Sequence, residues 1–229
     1  MPLKLIIGNK NYSSWSMRPW IGLRAAGIPF EEEVIPLSLE DSKARMLSHS
    51  PAGKVPVLID GDVHVWESLA ILEYAAEKFR DAHLWPADTN ARAHARAISA
   101  EMHAGFAALR NECQMNMWRP PSKRAALSAD AQADIARIQA LWTEARQRFG
   151  AEGPFLFGKF TAADAMYAPV VSRFETYAID VTPPVAAYMQ AMIALPAWAE
   201  WRRAALNEPW VIAAYEDHPE GPRLKADAA

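Results

Sequence analysis

The dipeptide Val55-Pro56 is the sharpest local feature of the sequence. Proline has no N–H to give to a strand ladder, so at the start of a strand it belongs at an edge or beside a ligand. A cis bond here would expose the N–H and C=O of Val55, which can pair with an extended peptide by strand addition. Taken alone, the dipeptide is more simply a proline that leads from a loop into a strand.

Glu67-Ser68 is a second candidate binding feature. Ser68 stands where the N-cap of a helix is expected, and the free N–H groups at a helix start favour an anion. An α-carboxylate can bind to the Ser68 hydroxyl and N–H, while Glu67 binds a nearby ammonium group. The simpler alternative is that Ser68 only caps its own helix.

Ser13 and Ser14 form the third feature. Pro19 is tolerated only near the beginning of a helix, which places the helix start close to residues 14–16. Two hydroxyls and several unpaired N–H groups then converge after the first strand. Such a site can stabilise a thiolate by hydrogen bonding and by the positive helix end. A Ser-rich capping loop explains the segment equally well by itself.

These features lie in a predicted β-α-β-α-β-β-α unit, a small α/β domain by element order. Apolar runs predict the strands, Asp60-Gly61 predicts a hairpin, and Gly27 predicts the end of the first helix. Long Ala-rich segments then predict an all-helical bundle, with helices at residues 90–118, 129–149, 161–177, 184–194 and 196–206. We therefore predict domains at 1–82 and 90–229, with a loosely ordered tail after Asp217.

Composition restricts the partners and the compartment. A net charge of -3 gives the chain no overall attraction to nucleic acid. Cys113 is the only cysteine, which rules out an intrachain disulfide and a Cys-rich metal site. No apolar run reaches the roughly 18 residues that span a bilayer, and the amino-terminal apolar run is too short for a signal peptide. We expect a cytoplasmic protein with no membrane, nucleic-acid or metal partner.

In order and spacing, the three features resemble the cytosolic glutathione S-transferase superfamily, in a bacterial-type, serine-type (zeta/theta/beta-like) class. The matching segments are Ser13-Ser14, residues 51–58 (PAGKVPVL) and residues 66–71 (WESLAI). The resemblance covers the whole chain. It implies a thioredoxin-like N-terminal domain, a helical-bundle C-terminal domain and a homodimer.

The resemblance also implies roles for individual residues. Val55 would pair with the cysteinyl backbone of glutathione and Pro56 would be cis, while Glu67 and Ser68 would hold the γ-glutamyl end. Lys54 completes the predicted glutathione-binding set.

A hydroxyl at Ser13 or Ser14 would activate the thiol. Ser13 is favoured, and Tyr12 is a third candidate. Trp15 stands where zeta-like relatives have a cysteine, which removes the attacking group for mixed-disulfide chemistry and weakens a zeta assignment.

The helical domain supplies candidates for the electrophile pocket. His103, Phe106 and Arg110 are spaced to share one helix face, and a similar histidine faces the thiol in beta-class enzymes. With Tyr12 and Trp15 they form the predicted pocket. The alternative is a partly buried histidine beside a solvated arginine.

The sequence thus predicts a transferase that conjugates the glutathione thiolate to small hydrophobic electrophiles, with glutathione as co-substrate and a role in detoxification. Two alternatives remain at this stage. One is a glutathione-dependent cis–trans isomerase of the maleylacetoacetate type, with Arg18 and Arg110 as carboxylate ligands. The other is a non-catalytic glutathione-binding or interaction protein. The identity of the electrophile is left open.

Overall fold

A computed structural model describes residues 2–124, 126–216 and 223–224 of the chain. The predicted β-α-β-α-β-β-α order of the first part of the chain is confirmed. The described strands are β1 (Leu3–Ile7), β2 (Phe30–Val34), β3 (Val57–Asp60) and β4 (Val63–Trp66). The described helices are α1 (Ser14–Ala25), α2 (Ser42–His49), α3 (Ser68–Lys78), α4 (Thr89–Ala104), α5 (Ala107–Glu112), α6 (Ala129–Phe149), α7 (Ala162–Thr176), α8 (Pro183–Ile193) and α9 (Pro196–Leu206). The predicted tail after Asp217 lies outside the described residues, except for residues 223–224.

The four strands form one mixed sheet in the order β2-β1-β3-β4. β1 is parallel to β2 and antiparallel to β3, and β3 and β4 form the predicted hairpin. Alternation along β1 directs Leu5 and Ile7 into the main core and Ile6 into a smaller cluster with Ile35 and Val57. Both faces of the sheet are therefore covered, as the mostly apolar β1 requires.

α1 begins at Ser14, within the predicted range of residues 14–16, and Ser13 is its N-cap. The Ser13 hydroxyl accepts a hydrogen bond from the Ser16 N–H at 3.3 Å, which fixes this start. Pro19 consequently lies in the second helical turn. Gly27 ends the helix as predicted, with φ of 70°.

The predicted helix over residues 90–118 is wrong, because the chain breaks at Gly105-Phe106. α4 ends at Ala104, Phe106 is left-handed with φ of 58°, and the short α5 follows. A side chain on Gly105 would bring its Cβ within 2.8 Å of the Glu101 carbonyl oxygen. Cys113, which the prediction placed on this helix, is buried just beyond the end of α5.

α7 is the central helix of the second part of the chain and is buried along almost its whole length. It packs against α1 and α4, and so joins the sheet-containing part to the helical bundle. Its start carries a capping box between Thr161 and Asp164. Between α3 and α4 lies a single 3-10 turn, Arg80–Ala82. The domain limits 1–82 and 90–229 stay a proposal.

Two buried arginines differ sharply in their partners. Arg173 of α7 donates from Nη1 to the carbonyl oxygens of Arg110 (3.2 Å) and Cys113, and so holds the C-terminal end of α5. Arg18 of α1 lies 4.1 Å from the centre of the Trp15 ring. Its Nε and Nη1 have no hydrogen-bond partner among the described residues. Burial lowers the pKa of Arg18 to about 9 and that of Arg173 to about 10.

We predict opposite effects on stability when each of these arginines is replaced by methionine. Arg173→Met leaves two carbonyl oxygens without a donor, and the free energy of unfolding should fall by about 1–3 kcal/mol. Arg18→Met removes a buried charge without breaking a hydrogen bond, so stability should be unchanged or higher. Urea denaturation of both variants measures the difference. Equal losses in the two variants would contradict this account of Arg18.

Candidate functional site

A cavity of about 290 Å³ contains most of the predicted peptide-binding residues and is named here the Val55 cavity. The residues that line it come from α1, from the loop before β3, from the β4–α3 junction and from α4: Trp15, Ala52, Lys54, Val55, Pro56, Trp66, Glu67 and His103. Both parts of the chain therefore contribute to its walls.

Val55-Pro56 lies at the entrance to β3. The bond between the two residues is cis, as predicted. The pairing of β3 with β4 begins only at Val57, so Val55 stands outside the ladder. Its backbone N–H and C=O are thus in position to pair with an extended chain in the cavity.

Glu67 rather than Ser68 is the N-cap of α3, which corrects the predicted cap. Glu67 has a positive φ of 70°, a conformation that is uncommon for a residue with a side chain and is typical of functional sites. Ser68 is the first helical residue and is fully buried, with its hydroxyl 4.0 Å from the Met166 sulfur. With this backbone conformation, Glu67 lines the cavity. Ser68 behind it is the first residue of α3.

His103 lines the Val55 cavity and does not line the cavity that holds the serines. Its Nε2 is 3.5 Å from the Glu67 carboxylate, and its ring meets Trp15 edge to face at 5.3 Å between centres. Burial and then the charge of Arg18 lower the pKa of His103, while Glu67 opposes them. The imidazole is therefore mostly neutral at pH 7.

The predicted thiol-activating serines line a second cavity of about 370 Å³, named here the Ser14 cavity. α5, α7 and the segment after α9 supply its other walls. The residues around it are Tyr12, Ser13, Ser14, Trp15, Leu37, Ala107, Arg110, Asn111, Gln114, Met115, Arg173, Ile212 and Tyr215. Trp15 lines both cavities and separates them.

The Ser13 hydroxyl belongs to a short hydrogen-bonded chain that includes Ser16, which the sequence analysis missed. The two hydroxyl oxygens are 2.8 Å apart, and the Ser16 oxygen also accepts from the Gly8 N–H at 3.0 Å. The Ser13 hydroxyl is the donor in this pair, so it can donate to a ligand only by turning away from the Ser16 oxygen. The Ser14 hydroxyl makes no hydrogen bond within the described part of the chain. The N-cap spacing of three residues between Ser13 and Ser16 was the available signal.

Tyr12 is poorly suited to activate a thiol. Its hydroxyl donates to Glu216 at 2.7 Å and accepts from the Ile212 N–H at 3.4 Å. Burial, and then the carboxylate of Glu216, raise the pKa of Tyr12 well above its usual value. The side chain is a fixed wall of the Ser14 cavity and anchors the segment after α9.

Positive charge collects around Trp15. The guanidinium carbons of Arg18 and Arg110 lie 4.1 Å and 5.4 Å from the centre of its ring. Arg110 lines the Ser14 cavity, whereas Phe106 lines neither cavity and is buried in the core. The break at Gly105-Phe106 separates Phe106 from the helix face that the prediction assumed.

Within the described ranges, no group of three or more His, Cys, Asp or Glu side chains is placed to bind a metal ion. No described helix is long and apolar enough to cross a membrane.

The chain matches two families of domains in sequence. Residues 12–78 match the glutathione S-transferase N-terminal domain, and residues 124–204 match the C-terminal domain. Glutathione S-transferase theta-1 of Bos taurus is 30% identical over 225 residues, which cover 86% of this chain and 85% of that protein.

Two further similarities are narrower. A probable maleylacetoacetate isomerase of Caenorhabditis elegans is 41% identical over 100 residues, which span 43% of this chain and less than half (46%) of that protein. A glutathione transferase homologue from Burkholderia, solved with bound glutathione, is 23% identical and has the same fold. It superposes with a TM-score of 0.68 over 91% of this chain and 100% of that one. On the sequence matches and the fold together, the chain belongs to the glutathione S-transferase family.

Proposed function

We propose that the protein is a glutathione transferase that conjugates the glutathione thiolate to small electrophiles. The observation that carries this proposal is the position of Trp15, with a peptide-binding cavity on one side and the serine hydroxyls on the other. Glutathione would lie in the Val55 cavity, and its thiol would reach past Trp15 toward Ser13. The electrophile would occupy the Ser14 cavity.

The polar groups of the Val55 cavity suit the two ends of glutathione. The backbone of Val55 beside Pro56 would pair with the cysteinyl residue, and the cationic Lys54 suits a carboxylate. Glu67 would bind the γ-glutamyl ammonium, and the positive end of the α3 dipole would favour the α-carboxylate next to it. His103, at 3.5 Å from Glu67, would steady that carboxylate.

The thiolate would form by hydrogen bonding and by electrostatic attraction. Ser13 would donate its hydroxyl hydrogen to the sulfur, supported by Ser16, and the start of α1 would add a positive dipole end. Arg18 and Arg110 around Trp15 would favour the anion further. The sulfur then attacks the electrophilic carbon, a C–S bond forms and the leaving group departs with its electron pair.

We infer two further properties from the family. The protein would act as a homodimer, and it would serve in detoxification in the cytoplasm. The single cysteine supports a reducing compartment.

Separate alanine variants of Ser13, Ser14 and Ser16 test the activation. Ser13→Ala and Ser16→Ala should raise the apparent pKa of the bound thiol by about one to two units, because a hydrogen bond to a charged group contributes about 1.5–3 kcal/mol. Ser14→Ala, the matched control, should leave it unchanged. The measurement is thiolate absorbance of bound glutathione against pH. A rise only in Ser14→Ala would assign activation to Ser14.

Retention on immobilised glutathione tests the proposed function itself. We expect the wild-type protein to be retained and to conjugate an aryl halide. Retention without turnover, in the presence of several electrophiles, would instead support a non-catalytic glutathione-binding protein. A wild-type protein that binds no glutathione in solution would contradict both.

A second candidate function is glutathione-dependent cis–trans isomerisation of an unsaturated diacid. Arg110 and Arg173 line the Ser14 cavity, and none of the described residues around it is acidic. The similarity to a probable maleylacetoacetate isomerase supports the same substrate class. The thiolate would add to the conjugated double bond, the resulting single bond would rotate, and elimination would release the thiolate.

Arg110→Met separates this candidate from conjugation of neutral substrates. Loss of a charged hydrogen bond should raise KM for a maleyl diacid by about ten- to hundredfold and leave KM for a neutral aryl halide unchanged. Arg137→Met, at an exposed ion pair with Glu101, is the control. If wild type isomerises no maleyl compound, this candidate is wrong and conjugation is unaffected.

A further inference from the structure

Glu208, which follows α9, makes two hydrogen bonds to the loop that carries the predicted nucleophile-activating serine. Its Oε1 accepts from the Lys10 N–H at 2.6 Å, and its Oε2 accepts from the Asn11 N–H at 3.0 Å. Lys10 and Asn11 are both buried. The two loop N–H groups are therefore bound by one carboxylate from the far end of the chain.

The same loop links these two residues rigidly to Ser13. The Asn9 carbonyl oxygen accepts from the N–H groups of Tyr12 (3.2 Å) and Ser13 (2.8 Å). On the other side, Asn11 Oδ1 accepts from the Trp118 N–H at 3.0 Å. A shift of Lys10 and Asn11 would therefore also move Ser13, because the short hydrogen-bonded turn between them connects the three residues.

We propose that Glu208 is a positioning residue for thiol activation, which sets the place of the Ser13 hydroxyl relative to the glutathione sulfur. The inference rests on the proposed function. Under this proposal, activation of the thiol depends partly on the segment after α9. The residues proposed to bind glutathione lie mainly on the β3 and α3 side. Binding and activation are therefore separable by mutation.

Glutamine at position 208 is the sharpest substitution. It keeps the shape of the side chain but offers one acceptor oxygen, and its NH₂ group would face a backbone N–H that also donates. One loop N–H then loses its partner. If Glu208 contributed only to stability, Glu208→Gln would lower the resistance of the protein to denaturant and leave the pKa of the bound thiol unchanged.

The experiment compares Glu208→Gln with wild type by the dissociation constant for glutathione and by the apparent pKa of the bound thiol. We expect the dissociation constant to change less than about twofold, the thiol pKa to rise by about one unit and kcat to fall by about ten- to hundredfold. Glu175→Gln is the matched control, because Glu175 binds Arg202 of α9 at 3.2 Å and lies outside the loop. Glu208→Asp, which keeps both oxygens, should lie between wild type and Glu208→Gln.

A double variant tests whether Glu208 acts through Ser13. In a Ser13→Ala background, Glu208→Gln should raise the thiol pKa no further, because the hydroxyl that it positions is gone. Additive increases would overturn the proposed route. An unchanged thiol pKa in Glu208→Gln, with glutathione still bound, would overturn the positioning role alone. Failure of the wild type to bind glutathione would overturn the proposed function as well.

Discussion

The chain between β1 and α1 reverses direction inside the protein, and each N–H and C=O group buried there needs a partner. Asn9, Lys10 and Asn11 are almost inaccessible to solvent. Local turn bonds to the Asn9 carbonyl satisfy only part of this requirement, and Met117 and Glu208 supply partners from the helical part of the chain. The loop that leads to the serines therefore has its shape only when the two parts of the chain are packed together.

The charged residues around Trp15 lower the stability of the fold and favour an anion in the site. A buried guanidinium with two unpaired N–H positions costs free energy, and Arg18 has the face of an indole ring as its neighbour. Arg110 adds a second positive charge, and Glu67 is the only carboxylate among the residues described around the Val55 cavity. Such an arrangement favours an anion at the junction of the two cavities, as the proposed thiolate would require. Sites of this kind are commonly less stable than their surroundings.

Most of the secondary structure of the sheet-containing part could be predicted from local sequence signals. The apolar run of β1 and the Asp60-Gly61 turn each depend on neighbouring residues, and the structure agrees with them. The cis bond at Val55-Pro56 was implied by the family resemblance and not by the residues alone. The break at Gly105-Phe106 did not follow, because Ala-rich residues on both sides favour a helix and burial of Phe106 overrides that preference.

The errors and omissions at the site have a shared cause. The position of His103 in the Val55 cavity depends on how α4 packs against the β4–α3 junction. Glu208 gave no local signal, since its partners Lys10 and Asn11 lie almost 200 positions earlier in the chain (198 and 197). Contacts of this kind are set by tertiary packing and produce no periodic pattern in the sequence.

Because Trp15 lies between the two cavities, substitutions in different parts of the chain change different cavities. The walls of the Val55 cavity come mostly from residues before position 70, whereas α5, α7 and the segment with Ile212 and Tyr215 enclose the Ser14 cavity. Substitutions late in the sequence can therefore reshape the second cavity while the first keeps its form. A duplicated copy of this chain could acquire a new range of acceptors by drift in its last hundred or so residues, with its co-substrate unchanged.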